Sequence, residues 1–182
     1  GGDVIEMASK IKQIIFDKTG TLTIGRPLVV GSWENKGSTR NDMLRLAASI
    51  EQESRHPLAQ AIIQEANKKE IKLNQVTFST TFAGKGLAGK INELEGLIRV
   101  GTPEWMKSEG IKWDEIIDHN LKLSKRKAQS LVAVALEEKL LGFFLIDDQV
   151  RKDAFLSINK LRARGFSLSL FSGDRDSAVL SL

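Results

Sequence analysis

The stretch "IKQIIFDKTGTLTIG", residues 11–25, sets an aspartate directly behind an apolar, β-branched run and follows it with a lysine, three threonines and two glycines. A short apolar run bounded by turn residues has the pattern of a strand buried in a parallel sheet. Asp17 then falls at the carboxyl end of that strand, the edge of an open α/β sheet where ligands bind. Two readings follow. Aspartate is a common turn former, and Asp17 can serve only to start the turn. A carboxylate at such an edge can also attack phosphorus and become an acyl phosphate, the covalent route that divides one hard transfer into two easier ones. Lys18 is placed to offset phosphate charge, and backbone N–H groups of the turn through Thr19, Gly20 and Thr21 are candidates to cradle the oxygens.

A second strand end carries similar chemistry. In "DDQVRKDAFLSINKLRARGFSLSLFSGD", residues 147–174, an amphipathic helix presents Ala154, Ile158 and Leu161 on one face, Gly165 stops it, and "FSLSLF" forms a strand. Helix then strand is half of a parallel-sheet unit. Ser172, Gly173 and Asp174 follow that strand directly. Alone, either strand end reads as a turn; two of them flanking one insertion favour a catalytic site.

Between the two ends the pattern changes. After Pro27, "LVVGSWE" is strand-like, Asn41 is a candidate cap for a helix through "DMLRLAASIE", and Pro57 suits a first helical turn with His56 as its N-cap. Residues 75–100 form a meander of short strands broken by glycines. Short helices are expected near 103–109 and 113–127, and "SLVAVALEEKLLGFFLID" gives two apolar strands joined at the Glu-Glu turn. The expected fold class is therefore α/β. A parallel-sheet outer domain covers residues 1–25 and 148–182, and an inserted α+β domain on an antiparallel sheet covers 26–147.

Composition narrows the chemistry. The 182 residues include no cysteine and two histidines, which excludes disulfides and thiolate metal sites. The formal net charge of +4 comes from interspersed charges rather than a basic stripe, so no nucleic-acid partner is expected. The basic run "KLSKRK" at 122–127 reads as a solvated helix face. His119 has no partner in sequence, and Trp33, Trp105 and Trp113 are scattered like packing groups. No apolar run is long enough to cross a bilayer.

The motif "DKTGTLT" at 17–23 resembles, letter for letter, the phosphorylation motif of P-type ATPases, ion pumps of the haloacid dehalogenase superfamily. Further matches point to the heavy-metal branch. "SRHPLAQAI" at 54–62 resembles its Ser-x-His-Pro signature, Glu51 matches its nucleotide-binding glutamate, and "GKGLAG" at 84–89 is similar to its glycine-rich nucleotide loop. "DDQVR" at 147–151 looks like its Asp-x-x-Arg hinge, with "SGD" where the family has Thr-Gly-Asp. The resemblance implies a haloacid dehalogenase-like, Rossmann-like phosphorylation domain carrying a nucleotide-binding insertion. It implies ATP bound near Glu51, His56, Gly84, Gly86 and Gly89, and hinges at Asp148 and Arg151. It implies phosphoryl transfer to Asp17 assisted by Lys18, Ser172, Gly173 and Asp174, with Mg²⁺ held by the Asp17 carboxylate and the Thr19 carbonyl. The partners it implies are ATP, a transported heavy-metal cation with copper first, and the other domains of a pump, at the cytoplasmic face of a membrane.

Local readings stand beside these. "GKGLAGK" nearly matches a P-loop, but Ile91 removes the magnesium hydroxyl and "INELEGLIRV" reads as a hairpin, so the three glycines are expected to give backbone clearance near the nucleotide. Thr102 stands where many heavy-metal pumps have asparagine. The family's distal lysine and acidic magnesium motif do not occur in these residues, so an incomplete outer domain with impaired turnover is expected. Related phosphatases carry a second carboxylate two residues after the nucleophile as general acid/base. Thr19 at that position argues against a soluble phosphatase and for a phospho-aspartate that persists. A nucleotide-binding regulatory module without chemistry is the remaining alternative.

Overall fold

The computed structural model describes residues 6, 10–112, 129–171 and 180–181. The chain divides into two compact units, Gly1–Arg26 with Asp148–Leu182, and Pro27–Asp147.

In the first unit, β1 (Gln13–Asp17) lies parallel to β8 (Ser167–Phe171) in unbroken register from Gln13 opposite Ser167 to Asp17 opposite Phe171. A short β9 (Leu180–Ser181) adds to β8 antiparallel, so the sheet order is β1-β8-β9. The parallel pair bears out the expected α/β class, and the sheet gains an antiparallel third strand that the sequence pattern did not give. Helix α4 (Ala154–Ala163) precedes β8 and ends before Gly165, whose φ of +86° suits glycine at a helix exit. Of the expected apolar stripe only Ala154 is fully buried; Ile158 and Leu161 are half-buried, while Phe155 is 71% exposed.

The second unit is built on a sheet of order β2-β7-β6-β5-β4-β3. Its strands are β2 (Thr23–Glu34), β3 (Val76–Phe82), β4 (Gly86–Ile91), β5 (Leu94–Gly101), β6 (Ser130–Leu136) and β7 (Lys139–Val150). Pairings from β3 through β7 are antiparallel, as the meander pattern predicts. Strand side chains alternate between faces, and each face carries an apolar layer. One packs against α1 (Arg40–Ile50) and α2 (Pro57–Lys68), with Met43, Leu44, Ile62, Val100, Val134 and Phe144 fully buried between them. The other packs against α3 (Pro103–Ser108), where Trp105 and Met106 meet Ala88, Ala133, Ala135 and Phe143. Trp33 joins this layer with its ring 5.7 Å from that of Phe143, and Trp105 sits 5.0 Å from Phe82, so both tryptophans are packing groups.

Two boundaries differ from expectation. Strand β2 begins at Thr23 and runs through Pro27, because it is the edge strand, where a proline that cannot donate to a ladder is tolerated. The N-cap of α1 is Thr39 rather than Asn41: the Thr39 hydroxyl accepts the Asp42 N–H at 3.1 Å, and Asn41 already lies inside the helix. The Glu-Glu turn between β6 and β7 forms as expected, with Glu137 at φ +52°; its carboxylate accepts the Leu97 N–H at 2.6 Å. The expected helix at 113–127, with Trp113, His119 and "KLSKRK", lies outside the described residues.

Candidate active site

The strand register brings Asp17 and Phe171 side by side at the carboxyl edge of the parallel pair, and the Asp17 side chain is exposed there. The chain then makes one wide helical turn, Lys18–Leu22, before β2 begins. Single turns of this kind occur often at functional sites. Lys18 and Thr19 stand in that turn by their backbone, while Ser172, Gly173 and Asp174 lie outside the described residues.

The turn is braced from both sides. Thr23, 1% exposed, accepts the Gly20 N–H at 3.1 Å on its hydroxyl and donates the hydroxyl proton to Asp148 Oδ2 at 2.5 Å. Asp148 also accepts the Gly25 N–H at 3.1 Å and the Arg26 N–H at 2.9 Å. Gly25 turns its amide toward Asp148 in a left-handed conformation, φ +76°, which glycine adopts without strain. The Arg151 N–H closes the bracing on the Leu22 carbonyl at 2.9 Å. Asp148 and Arg151, the residues expected from the sequence to act as hinges, thus meet the turn that follows Asp17. One expectation is overturned: the Gly20 amide is committed to Thr23 and is not left over for a phosphate oxygen. What remains is an exposed carboxylate with its main chain fixed, the arrangement a nucleophile requires.

A cavity of about 960 Å³ opens on the Pro27–Asp147 unit, within the range of small-molecule sites. The connection between α1 and α2 contributes Glu51, Arg55 and His56. Strand β3 and the turn into β4 contribute Ser79, Thr81, Gly84, Lys85 and Gly86, and Thr102 lies at the start of α3.

Glu51 is the C-cap of α1 and 6% exposed, and its Oε2 accepts no hydrogen bond from the described residues. Burial pushes its carboxyl above the ordinary carboxylate range, and a hydrogen bond with Ser54 offsets part of that shift. A buried acceptor without a donor is costly, so this oxygen favours a ligand that brings an N–H. His56 caps α2: its Nδ1 accepts the Leu58 N–H at 3.3 Å, which assigns the ring proton to Nε2.

Glycine clearance is used differently from the expectation. Of Gly84, Gly86 and Gly89, it is Gly84, at φ +69°, that faces open space. A Cβ on Gly86 would lie 2.1 Å from the Val100 carbonyl oxygen and 2.5 Å from Gly101 Cα, so that glycine lets β4 approach β5 under Trp105. A Cβ on Gly89 would meet the Phe78 carbonyl at 2.5 Å and Ile50 Cδ1 at 2.8 Å, and Gly89 does not line the cavity. Residues Gly86–Ile91 are a strand, which disposes of a P-loop or dinucleotide fingerprint, since each needs a helix there. The Thr102 hydroxyl accepts the Trp105 N–H at 3.2 Å and serves as the α3 cap.

Of the expected nucleotide residues, the structure gathers Glu51, His56, Gly84 and Gly86 around one cavity and leaves Gly89 out. Sequence reasoning missed Arg55 and Lys85, which stood only as variable positions inside two motifs; their charge was the available signal. Among the described residues no group of three or more histidine, aspartate or glutamate side chains is placed to hold a metal, and no helix is long and apolar enough to cross a membrane.

A family model for haloacid dehalogenase-like hydrolases matches residues 11–181. The chloroplastic copper-transporting ATPase PAA2 of Arabidopsis thaliana is 33% identical over 196 aligned residues, which take in 100% of this chain and 22% of that protein. The chain therefore spans less than a quarter of that relative's length. A zinc-transporting PIB-type ATPase in its E2.Pi state superposes with a TM-score of 0.81 at 29% identity, covering 97% of this chain and 28% of that one. The catalytic domain of the CPx-ATPase CopB-B, solved to follow conformational changes upon nucleotide binding, superposes with a TM-score of 0.68 at 28% identity, covering 96% of this chain and 58% of that one. With residues 11–181 matched, the chain belongs to the haloacid dehalogenase-like hydrolases, and its relatives within them are heavy-metal P-type ATPases.

Proposed function

We propose that this chain is the ATP-binding and phosphorylation part of a heavy-metal cation pump working at the cytoplasmic face of a membrane. The reaction is transfer of the γ-phosphoryl group of ATP to Asp17. An Asp17 carboxylate oxygen attacks the γ-phosphorus, the bond to the β–γ bridging oxygen breaks, ADP leaves with that oxygen, and an acyl phosphate forms. The observation that carries this reading is Asp17 itself, an exposed carboxylate at the end of a parallel strand, followed by a turn that Thr23 and Asp148 brace.

Thr19 stands where a phosphatase of this superfamily would carry its second carboxylate, so hydrolysis of the acyl phosphate lacks the general base that this position would supply and is slow, and the phosphoryl group persists. Such persistence suits a conformational cycle and not rapid phosphatase turnover.

The cavity on the other unit suits the adenine nucleotide. The unpaired Glu51 oxygen is an acceptor for the exocyclic amine of adenine, and the His56 Nε2 proton is a donor for the base or sugar. Gly84 leaves room for the main chain to approach the ligand. The oxygen donors Asp17 and the Thr19 carbonyl fit Mg²⁺, which commonly takes one or two protein oxygens together with phosphate oxygens and water. Bound there, the cation would neutralise phosphate charge. Lys18, Ser172, Gly173 and Asp174 are proposed to complete the phosphoryl site.

The copper-transporting relative makes copper the first candidate ion, and the zinc-transporting neighbour makes zinc the second. The test is incubation of the whole pump that contains this chain with γ-labelled ATP and Mg²⁺, with each metal in turn. An acid-stable, hydroxylamine-sensitive label that Asp17→Asn abolishes is expected, and the stimulating metal identifies the cargo. Label that survives Asp17→Asn would place the chemistry elsewhere.

A further inference from the structure

Four arginines of the Pro27–Asp147 unit lie among the described residues, and three are ion-paired. Arg40 meets Glu65 at 3.1 Å, Arg45 meets Asp42 at 3.0 Å, and Arg99 meets Glu109 at 3.6 Å. Arg55 is the exception. It is exposed, has no ion pair or side-chain hydrogen bond among the described residues, and lines the same cavity as Glu51 and His56. Lys85, in the turn between β3 and β4, also lines that cavity and is likewise unpaired among the described residues.

The backbones that carry both side chains are held. Gln60 Nε2 donates to the Ser54 carbonyl at 2.6 Å, and the His56 N–H meets the Ser54 hydroxyl at 3.3 Å, which fixes the chain on both sides of Arg55. The Lys85 N–H donates to the Phe82 carbonyl at 2.9 Å, and its own carbonyl accepts the Thr102 N–H at 2.8 Å. Two free cations on anchored main chain therefore border one cavity, from two different connections. Its carboxylates are Glu51, buried with Oε2 unpaired, and Glu53, which is exposed; neither neutralises Arg55. A guanidinium presents its donors in a planar fork that matches two oxygens of a phosphate, and an ammonium adds a mobile point charge.

We infer that Arg55 and Lys85 grip the polyphosphate of the nucleotide from two sides, making this cavity selective for nucleoside di- and triphosphates over the bare nucleoside. This rests on the reading of the cavity as the adenine-nucleotide site. Arg55 is then a specificity-determining residue: the fork takes oxygens of one phosphate while Lys85 answers the charge of the chain.

The test is calorimetric titration of the protein with adenosine, AMP, ADP and ATP, at low and at moderate salt. Wild-type protein is expected to gain affinity with each added phosphate, and salt should erode that gain. Arg55→Ala should weaken ADP and ATP about tenfold, the value of one charge-assisted contact, with adenosine unchanged. Lys85→Ala should act the same way but less, and Arg55→Lys should recover part of the loss. Equal weakening of adenosine and ATP in Arg55→Ala, or no weakening of either, would overturn the clamp. Adenosine that binds wild-type protein with no gain from added phosphates would remove the clamp and keep the adenine site. Failure of adenosine and ATP alike to bind wild-type protein would remove both.

Discussion

The Thr23 hydroxyl donates to Asp148 across 2.5 Å while accepting the Gly20 N–H at 3.1 Å, so one side chain ties the turn after Asp17 to the returning segment of the chain. Thr23→Val keeps the branched shape and removes both bonds. With Thr23 buried, the loss should cost about 1–3 kcal/mol, the range for polar groups stranded away from water. Urea unfolding reads that loss. The more telling readout is a split: labelling of Asp17 by ATP should slow while ATP affinity stays the same, and Thr23→Ser should restore the rate. Equal rates in wild type and Thr23→Val would mean that the bridge does not position the nucleophile.

Burial raises the Glu51 carboxyl above its ordinary value of 4.5, so the folded chain holds that proton more tightly than the unfolded chain does. A group raised in this way contributes stability that is complete below the unfolded value and is lost as pH rises through the folded one. Wild-type protein should therefore lose stability as pH climbs from about 4.5, and Glu51→Gln should lack that part of the slope. Urea midpoints across pH separate the two. Nucleotide choice should change as well, because a glutamine amide can donate to the 6-oxo group of guanine where the carboxylate cannot. Glu51→Gln should narrow the preference for ATP over GTP.

How far the sequence discloses this molecule depends on how far apart the deciding contacts lie. Strand β1 and Asp17 are legible because both signals are local, an apolar run and a seven-residue motif. The β3–β5 meander is legible for the same reason, its alternation and glycine breaks being contained within each strand. The α1 cap is not, since Thr39 and Asn41 compete within three residues and both have capping side chains; only the observed Thr39 bond to Asp42 decides. Gly25 and Pro27 read as a turn, yet they lie in β2, because Asp148, far along the chain, accepts the Gly25 and Arg26 N–H groups. Gly86 and Gly89 looked like ligand clearance because the groups that fill the space, Trp105 and Ile50, are remote in sequence. Arg55 gave only its charge, and its lack of a partner among the described residues is visible only once the other described arginines of its unit are seen paired.

Gly84 and Gly86 sit two residues apart in one motif and should respond unequally to the same change. Gly86→Ala would press a Cβ to 2.1 Å from the Val100 carbonyl, backbone against backbone, with no flexible neighbour to yield. A loss of about 3 kcal/mol is expected, at the upper end for overpacked sites. Gly84→Ala meets no atom within 4 Å and carries only the left-handed strain of φ +69°, about 1–2 kcal/mol. Thermal unfolding should rank the two. ATP titration should show that Gly84→Ala has the larger effect on affinity per unit of stability lost, since Gly84 borders open space in the cavity and the gap at Gly86 is already filled.

His56 is assigned two roles that can be separated by choice of replacement. Its Nδ1 caps α2, and its Nε2 proton is free to meet a ligand. His56→Ala removes both, so it should cost about 1 kcal/mol of stability, the usual value of a lost N-cap, and weaken ATP binding. His56→Asn supplies a capping oxygen of comparable reach but no ring. If the ring meets the nucleotide, His56→Asn should melt like wild type and bind ATP as poorly as His56→Ala. If His56 is a cap and nothing more, His56→Asn should match wild type in both measurements. Melting curves and ATP titrations on the three proteins distinguish these outcomes, because the cap depends on an oxygen or nitrogen acceptor at the helix start and the ligand contact depends on the imidazole edge that faces away from it.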